Sequence, residues 1–173
     1  NVLGNDYVGS LVGYNRGEIQ NIYATGSVSG AMQVGGLVGY NEGDATITNS
    51  YAAVSVTGAE RVGGLVGYNS GAHISFCYAT GLVSGQNDVG GFLGLEIFGS
   101  VNDNFWNIDQ NTIGVGFDDD PAGVTGLTTA QMQDQTEFTN WDFTDTWQMD
   151  NGCVNDGYPI FQWQDNPEMV AVS

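Results

Sequence analysis

The chain has 173 residues, with 27 glycines, only two basic residues and twenty carboxylates, which together give a formal charge of −18. Nucleic-acid binding is disfavoured because Arg16 and Arg61 are the only side chains that could displace counterions from phosphates. Membrane insertion is disfavoured because no stretch approaches the ~20 apolar residues of a span. Eight tyrosines, eight phenylalanines and four tryptophans instead predict a folded core.

The glycines belong to an internal repeat. The octet VGGLVGYN stands at 34–41 and at 62–69, and variants of it stand at 8–15 and 89–96, so the spacings are 26, 28 and 27 residues. Each octet is followed by a second block, which stands at 19–24 in the first copy and is degraded in the fourth. In the first three copies a third block follows, at 26–30 in the first. Three short strands in about 27 residues predict an all-β, three-sided parallel β-solenoid whose coils stack at ~4.8 Å. A β-propeller blade would need about 40 residues or more.

Stacked coils predict columns of equivalent side chains. Two apolar columns share one face of the second block, and they consist of Ile19, Ile47, Ile74, Val101 and of Tyr23, Tyr51, Tyr78, Phe105. A third column holds Asn15, Asn41 and Asn69, whose amides are expected to hydrogen-bond from coil to coil.

Strand alternation predicts an apolar strip on the outside of the first block. If Val34 and Val38 face the core, the residues between them face outward. The predicted contact surface is then the column Leu11, Leu37, Leu65 and Phe92. Such a strip would either bind a partner or lie beneath Met132, Phe138 and Trp141 of the C-terminal segment, and the second reading is preferred.

The blocks resemble the GLUG-motif repeat family. The residues that define the repeat in the two identical octets are Gly35, Gly36, Gly39, Tyr40, Asn41, Gly63, Gly64, Gly67, Tyr68 and Asn69. The resemblance implies a secreted or surface-attached bacterial protein, often adhesin-like, and it specifies no chemistry. The segments 126–133, 140–143 and 157–163 are similar to the region that closes such arrays.

Two regions are predicted. Residues 1–104 form the solenoid, which starts in the middle of a repeat and so suggests a chain taken from a longer array. Residues 105–173 form a small mixed cap. There, Thr128 and Gln131 predict a capping box at the start of one short helix. Alternating residues predict strands within 141–147 and 158–163.

The candidate chemistry is sparse. His73 is the only histidine, and no serine or cysteine is obviously partnered with it, so an enzyme is disfavoured. Asp118, Asp119 and Asp120 could bind calcium, although an acidic loop without the alternating ligand pattern is more often only solvated. No other cofactor is expected. Cys77 and Cys153 form either a disulfide between the solenoid and the cap or two separate thiols.

We therefore expect a non-enzymatic structural or adhesive module of an extracellular bacterial surface or filament protein, which acts as a stiff spacer or self-associates. The alternative is a carbohydrate-binding module that uses Trp106, Trp141 or Trp147 of the cap. The expected partners are neighbouring repeats, copies of the same chain or an extracellular glycan. The open first coil is expected to be covered by an upstream repeat, a second subunit or the tail 169–173.

Overall fold

The structure is a computed structural model that describes residues 1–118 and 122–164, and the chain divides into two compact units, 1–127 and 128–173. The first unit is a β-solenoid. The strands up to the end of its second coil are β1 (Val2–Leu3), β2 (Asp6–Gly9), β3 (Val12–Asn15), β4 (Glu18–Gln20), β5 (Tyr23–Ser29), β6 (Met32–Gly35), β7 (Val38–Glu42) and β8 (Thr46–Thr57). The later strands are β9 (Glu60–Gly63), β10 (Val66–Ser70), β11 (His73–Ala79), β12 (Val83–Ser84), β13 (Asn87–Gly90), β14 (Leu93–Ile97), β15 (Ser100–Asn102), β16 (Asn104–Asn107), β17 (Val115–Asp118) and β18 (Val124–Leu127).

Three parallel sheets form the sides of the solenoid. One contains β2, β6, β9 and β13, the second contains β3, β7, β10, β14 and β17, and the third contains the remaining nine strands up to β18. Equivalent residues of successive coils pair in register, as Ile47 does with Ile19 and Ile74. The tyrosine column pairs in the same way, since Tyr51 lies opposite Tyr23 and Tyr78. The predicted solenoid and its columns are confirmed.

The path of each coil differs from the predicted one within the first block. The octet at 34–41 does not form one strand, because the chain turns at Gly36 and Leu37 between β6 and β7, which belong to different sheets. The second and third blocks instead share one sheet, and in the second coil they form the single strand β8. The solenoid is three-sided, but the octet supplies two of the three sides.

Parallel pairing also continues beyond the predicted boundary at residue 104. The strand β16 pairs with β11 on one side and with β18 on the other, and β17 extends the ladder of β14. The first compact unit therefore ends at Leu127. The physical reason is that the backbone groups of residues 104–107 still find partners in register, even though Trp106 replaces the repeat's alanine.

The second unit contains the helix α1 (Thr129–Met132), a 3₁₀ turn at Gln135–Glu137, and the antiparallel strands β19 (Trp147–Met149) and β20 (Pro159–Phe161). Thr128 and Gln131 form the predicted capping box. Its core contains a chain of aromatic contacts, in which the ring of Trp147 lies 4.6 Å from the rings of both Trp141 and Phe161. Among the described residues, no helix has the length and apolar character needed to cross a membrane.

Candidate functional site

Glycines shape the corner between β6 and β7 and its equivalents. At Gly64 an added Cβ would overlap the carbonyl oxygen of Gly91 in the next coil and would lie 3.1 Å from the Cβ of Ala79. Gly36 has the same relation to Gly64 one coil earlier. In the second and third octets, the close approach of successive corners therefore favours glycine at the second glycine position. The first octet has Ser10 at the equivalent position.

The third glycine of the octet lies against the backbone of the facing sheet. A Cβ on Gly67 would come within 2.6 Å of the backbone of Gln33 and Val34. The space beside this glycine holds a neighbouring strand, so two sides of the solenoid meet backbone to backbone.

An asparagine ladder runs along the inside of the second sheet. The Nδ2 group of Asn15 donates to Oδ1 of Asn41 at 2.8 Å, and Nδ2 of Asn41 donates to Oδ1 of Asn69 at 2.7 Å. Nδ2 of Asn69 donates to Oε2 of Glu96 at 2.6 Å. All four side chains are buried. The predicted ladder is confirmed, and each amide donates to the equivalent side chain of the following coil.

Glu96 ends this asparagine ladder as an acceptor on both carboxylate oxygens. Its Oε1 accepts from the backbone N–H of Gly99 at 2.7 Å, while Oε2 accepts from Asn69. A carboxylate has no hydrogen to pass on, so the series of amide donors stops there. In the fourth octet, Glu96 stands where the earlier octets have asparagine. This place in the asparagine column was the signal that could have identified its role.

A cluster of aromatic and charged side chains lies on the outside of the same sheet. Glu42 accepts hydrogen bonds from Tyr14, from Tyr40 at 3.1 Å, and from Nε and Nη2 of Arg16 at 2.8 and 2.6 Å. The hydrogen bonds from Tyr14 and Arg16 hold the pKa of Glu42 below its usual value. Burial, with help from Glu42, raises the pKa of Tyr40 to about 12. The rings of Tyr40 and Tyr68 stack at 4.7 Å. These hydrogen bonds and ring contacts stabilise the stacking of successive coils. None of these side chains is an activated nucleophile.

The predicted apolar contact surface is wrong for three of its four members. Leu37, Leu65 and Phe92 are completely buried in the core of the solenoid, together with Val34 and Val38. The reason is the corner at Gly36 and Leu37, which breaks the strand alternation on which the prediction depended. Leu11 is the exception, because it lies in the first coil and 44% of its surface is exposed.

The two cysteines are free thiols in the structure, so the predicted disulfide is not formed. Cys77 is completely buried in the solenoid, where its Sγ donates to the carbonyl oxygen of Ser75 at 3.2 Å. Burial raises the pKa of this thiol to about 12. Cys153 is exposed in the second unit. The alternative of two separate thiols is the one that the structure contains, although only one of them is buried.

His73 has a partner that the sequence did not reveal. Stacking places it in register with Ser100, and its Nδ1 lies 2.6 Å from the serine Oγ. Both side chains are exposed, and no carboxylate hydrogen-bonds to His73 among the described residues. A histidine that activates a serine is ordinarily oriented by a third group, and the described part of the chain supplies none to this pair.

The other candidate residues divide between buried and undescribed positions. Trp141 and Trp147 are buried, and Trp106 is half-buried, packed on Gly91, Gly114 and Gly126. The exposed tryptophan is Trp163, which the sequence did not single out.

Asp119 and Asp120 lie outside the described residues, as does the side chain of Asp118, so the calcium site stays a prediction. Within the described part of the chain, no three acidic, histidine or cysteine side chains form a metal-binding group.

Comparison with known proteins identifies the repeat. The family model of the GLUG motif matches residues 4–29, 30–57 and 58–84, which correspond to the first three coils. No curated protein and no solved structure matches the chain significantly.

Proposed function

Because residues 4–84 are three consecutive GLUG repeats, which form a structural type of β-solenoid, we propose that this chain is a stiff, non-enzymatic structural or adhesive module of an extracellular bacterial surface or filament protein. The observation that carries the proposal is the register of the three sheets, in which each coil hydrogen-bonds to the next on all three sides. A rod of this kind resists bending and extension because every coil must separate from its neighbours along several strands at once.

The charge supports a role in an exposed setting. Twenty carboxylates against two arginines keep the surface anionic, which favours solubility and opposes non-specific association. The scarcity of basic residues also removes most cleavage sites for trypsin-like proteases. Both properties suit a module that holds another domain, or a ligand-binding surface, away from a cell.

The spacer role is tested by pulling single molecules of the full chain between its two termini. We expect the first unit to extend in steps, each releasing about one coil, at forces that a Gly64→Ala variant lowers. Gly17→Ala is the matched control, since a Cβ there has only Asn15 Oδ1 nearby, at 3.9 Å. Smooth extension at low force in the unmodified chain would contradict the spacer role.

The adhesive role and the location need separate tests. Antibody labelling of intact and lysed source cells distinguishes a surface location from an internal one. Binding of the full chain to an array of bacterial and host glycans tests for a ligand.

The alternative of carbohydrate binding through cap tryptophans is not favoured by the burial of Trp141 and Trp147. Glycan binding lost in Trp163→Ala with the fold intact would revive it for a different ring.

A further inference from the structure

The solenoid has an internal gap on one side of its fourth coil. Within the described residues, β12 pairs only with β8 and β13 pairs only with β9, so both are edge strands. Beside them the chain forms no further strand and runs through the loop 108–114 between β16 and β17. Neighbouring ladders continue past this point, from β16 to β18 and from β14 to β17. The space between residues 83–90 and 108–114 is the strand gap.

One backbone donor at the strand gap has no acceptor. In the earlier coils, the N–H of Gly30 donates to the carbonyl oxygen of Thr57, and the N–H of Gly58 donates to that of Ser84, both at 3.0 Å. Gly85 is the next member of this series. No described residue supplies an acceptor to its N–H, because the chain leaves the path of the coil in the loop 108–114.

A carbonyl oxygen in the same turn has no donor. The carbonyl oxygen of Ala31 accepts from the N–H groups of Ala59 and Glu60 in the next coil, at 2.8 and 3.1 Å. The carbonyl oxygen of Ala59 accepts in the same way from Gln86 and Asn87, at 3.1 and 3.0 Å. The carbonyl of Gln86 is the next in this series, and no N–H from the described part of the chain reaches it.

The carbonyl oxygen of Val83 is a second open acceptor. The carbonyl oxygens of Leu82 and Ser84 accept from the N–H groups of Val56 and Gly58 in the preceding coil. Since carbonyl groups alternate sides along a strand, the carbonyl of Val83 faces the strand gap. Residues 83, 85 and 86 therefore present an acceptor, a donor and an acceptor, as the edge of a parallel sheet does.

The side chain of Asn111 already replaces part of the missing strand. Its Oδ1 accepts from the N–H of Val83 at 2.9 Å, and its Nδ2 donates to the carbonyl oxygen of Gly81 at 2.8 Å. A neighbouring strand would satisfy the same two groups with a backbone carbonyl and a backbone N–H. One end of the strand gap therefore binds an amide, and the open groups of residues 83–86 continue this pattern beyond Asn111.

The strand gap contains a cavity of about 310 Å³. Val83 and Val89 line it on one side, where they continue the buried columns of Val56 and Val62, and the loop 110–113 lines it on the other. In liquid water this volume corresponds to about ten molecules. Pockets for alternate side chains beside open backbone groups are the features by which a sheet edge binds an extended peptide.

The surroundings of the strand gap favour a basic ligand. Residues 81–113 include no lysine or arginine and four carboxylates, which are Asp88, Glu96, Asp103 and Asp109. Asp88 lies in β13 and is half-buried, and Asp109 is exposed in the loop. Arg61 of the preceding coil is ion-paired with Glu60 at 3.0 Å. Complementary charge raises the rate of association and excludes acidic competitors.

We propose that the strand gap is a binding site for an extended, basic peptide segment of a partner protein, which adds a parallel strand beside β12 and β13. One peptide residue donates to the carbonyl of Val83 and accepts from the N–H of Gly85. The N–H groups two and three residues further along donate to the carbonyl of Gln86, and an apolar side chain packs on Val83 and Val89. The inference does not depend on a spacer role or an extracellular location.

The probe is the acetylated and amidated peptide KVTGAKRV, in which basic residues flank the sequence of residues 56–59. The readout is amide hydrogen exchange of Gly85 in the full chain, with Gly30 as the internal reference. We expect saturating peptide to slow the exchange of Gly85 at least about tenfold while Gly30 changes little. Methylation of the peptide's alanine nitrogen removes one donor to Gln86 and should weaken binding about fivefold to tenfold.

Two matched controls separate the backbone contacts from charge and from non-specific binding. The acidic peptide EVTGAEEV should bind at least about tenfold more weakly at low ionic strength, and this difference should shrink as salt is added. Thr112→Trp places a large side chain at the exposed edge of the cavity and should abolish protection of Gly85. Thr25→Trp, at an exposed position of β5, is the matched control and should bind the peptide as the unmodified chain does.

Several results would overturn the proposal. Exchange of Gly85 that is as slow as that of Gly30 without peptide would mean that the chain itself fills the strand gap. A Gly85 exchange rate that falls with protein concentration would assign the gap to a second copy. No effect of KVTGAKRV, equal binding of the acidic peptide, or binding unchanged by Thr112→Trp would contradict the basic-peptide site directly. The stiffness of the solenoid and its location would be unaffected by any of these results.

Discussion

Replacing Gly64 with alanine should weaken the solenoid at one corner. The added Cβ overlaps the carbonyl oxygen of Gly91 and lies 3.1 Å from the Cβ of Ala79, so the two coils must separate locally. Overpacking of this kind costs about 1–3 kcal/mol. The same corner holds the hydrogen bonds from Gly64 N–H to Gly90 at 3.1 Å and from Leu65 N–H to Phe92 at 2.8 Å. Loss of one of them adds about 1 kcal/mol.

The expected total is therefore about 3 kcal/mol, which corresponds to a decrease in Tm of roughly 6–12 °C for a chain of this size. Urea unfolding followed by far-ultraviolet circular dichroism measures the loss, with the midpoint of the strand signal as the observable. Gly17→Ala is the matched control, because its Cβ makes only ordinary contact and its φ lies outside the left-handed region. If Gly64→Ala unfolds at the same urea concentration as Gly17→Ala, the argument from close approach is refuted.

Three further changes test other parts of the structure. Asn41→Ala leaves the donor of Asn15 and the acceptor of Asn69 unpaired in a buried position, so we expect a loss of about 2–4 kcal/mol in urea unfolding. An aromatic disulfide reagent should titrate Cys153 within minutes in the native protein and Cys77 only after unfolding, because Cys77 is buried with its pKa raised to about 12. Asp150→Asn should destabilise the second unit at pH 7 and have less effect near pH 2.

The last expectation follows from the bonds that Asp150 accepts. Burial by itself would raise the pKa of this carboxyl, but the backbone N–H groups of Gly157, Asn155, Val154 and Cys153 outweigh it and lower the pKa. A lowered pKa means that the stabilisation is fully present above the unfolded value of about 3.9 and is lost as the pH falls through the folded value. Thermal unfolding between pH 2 and 7 measures the difference.

Each of the three has a result that contradicts it. A stability loss in Asn41→Ala no larger than that of a half-buried control such as Ser29→Ala would mean that the ladder contributes little. Rapid modification of both thiols would place Cys77 at the surface, and modification of neither in the reduced protein would contradict the exposure of Cys153. An Asp150→Asn effect that is constant from pH 2 to pH 7 would exclude the ionised carboxylate as its cause.

The sequence by itself determined the repeat, the period and the parallel stacking. Exact recurrence of VGGLVGYN at a spacing near 27 residues leaves few architectures open, and stacking follows because one coil cannot bury its own apolar side chains. The asparagine ladder was equally predictable, because a buried amide needs partners and its counterpart in the next coil is the nearest available one.

The corners were decided only by the tertiary structure. Strand alternation predicts which side of the sheet Leu37 faces only if the strand continues straight through it. The chain turns at Gly36 and Leu37 instead, so Leu37 is buried in the core and not on the outside. The left-handed backbone of Gln33, Arg61 and Asp88 also has no sequence signature, because none of them is glycine and only their shared place in the coil requires it. The turns and left-handed residues at the corners are fixed by contacts between successive coils, whose residues are about 27 positions apart in sequence. A local sequence pattern therefore does not predict them.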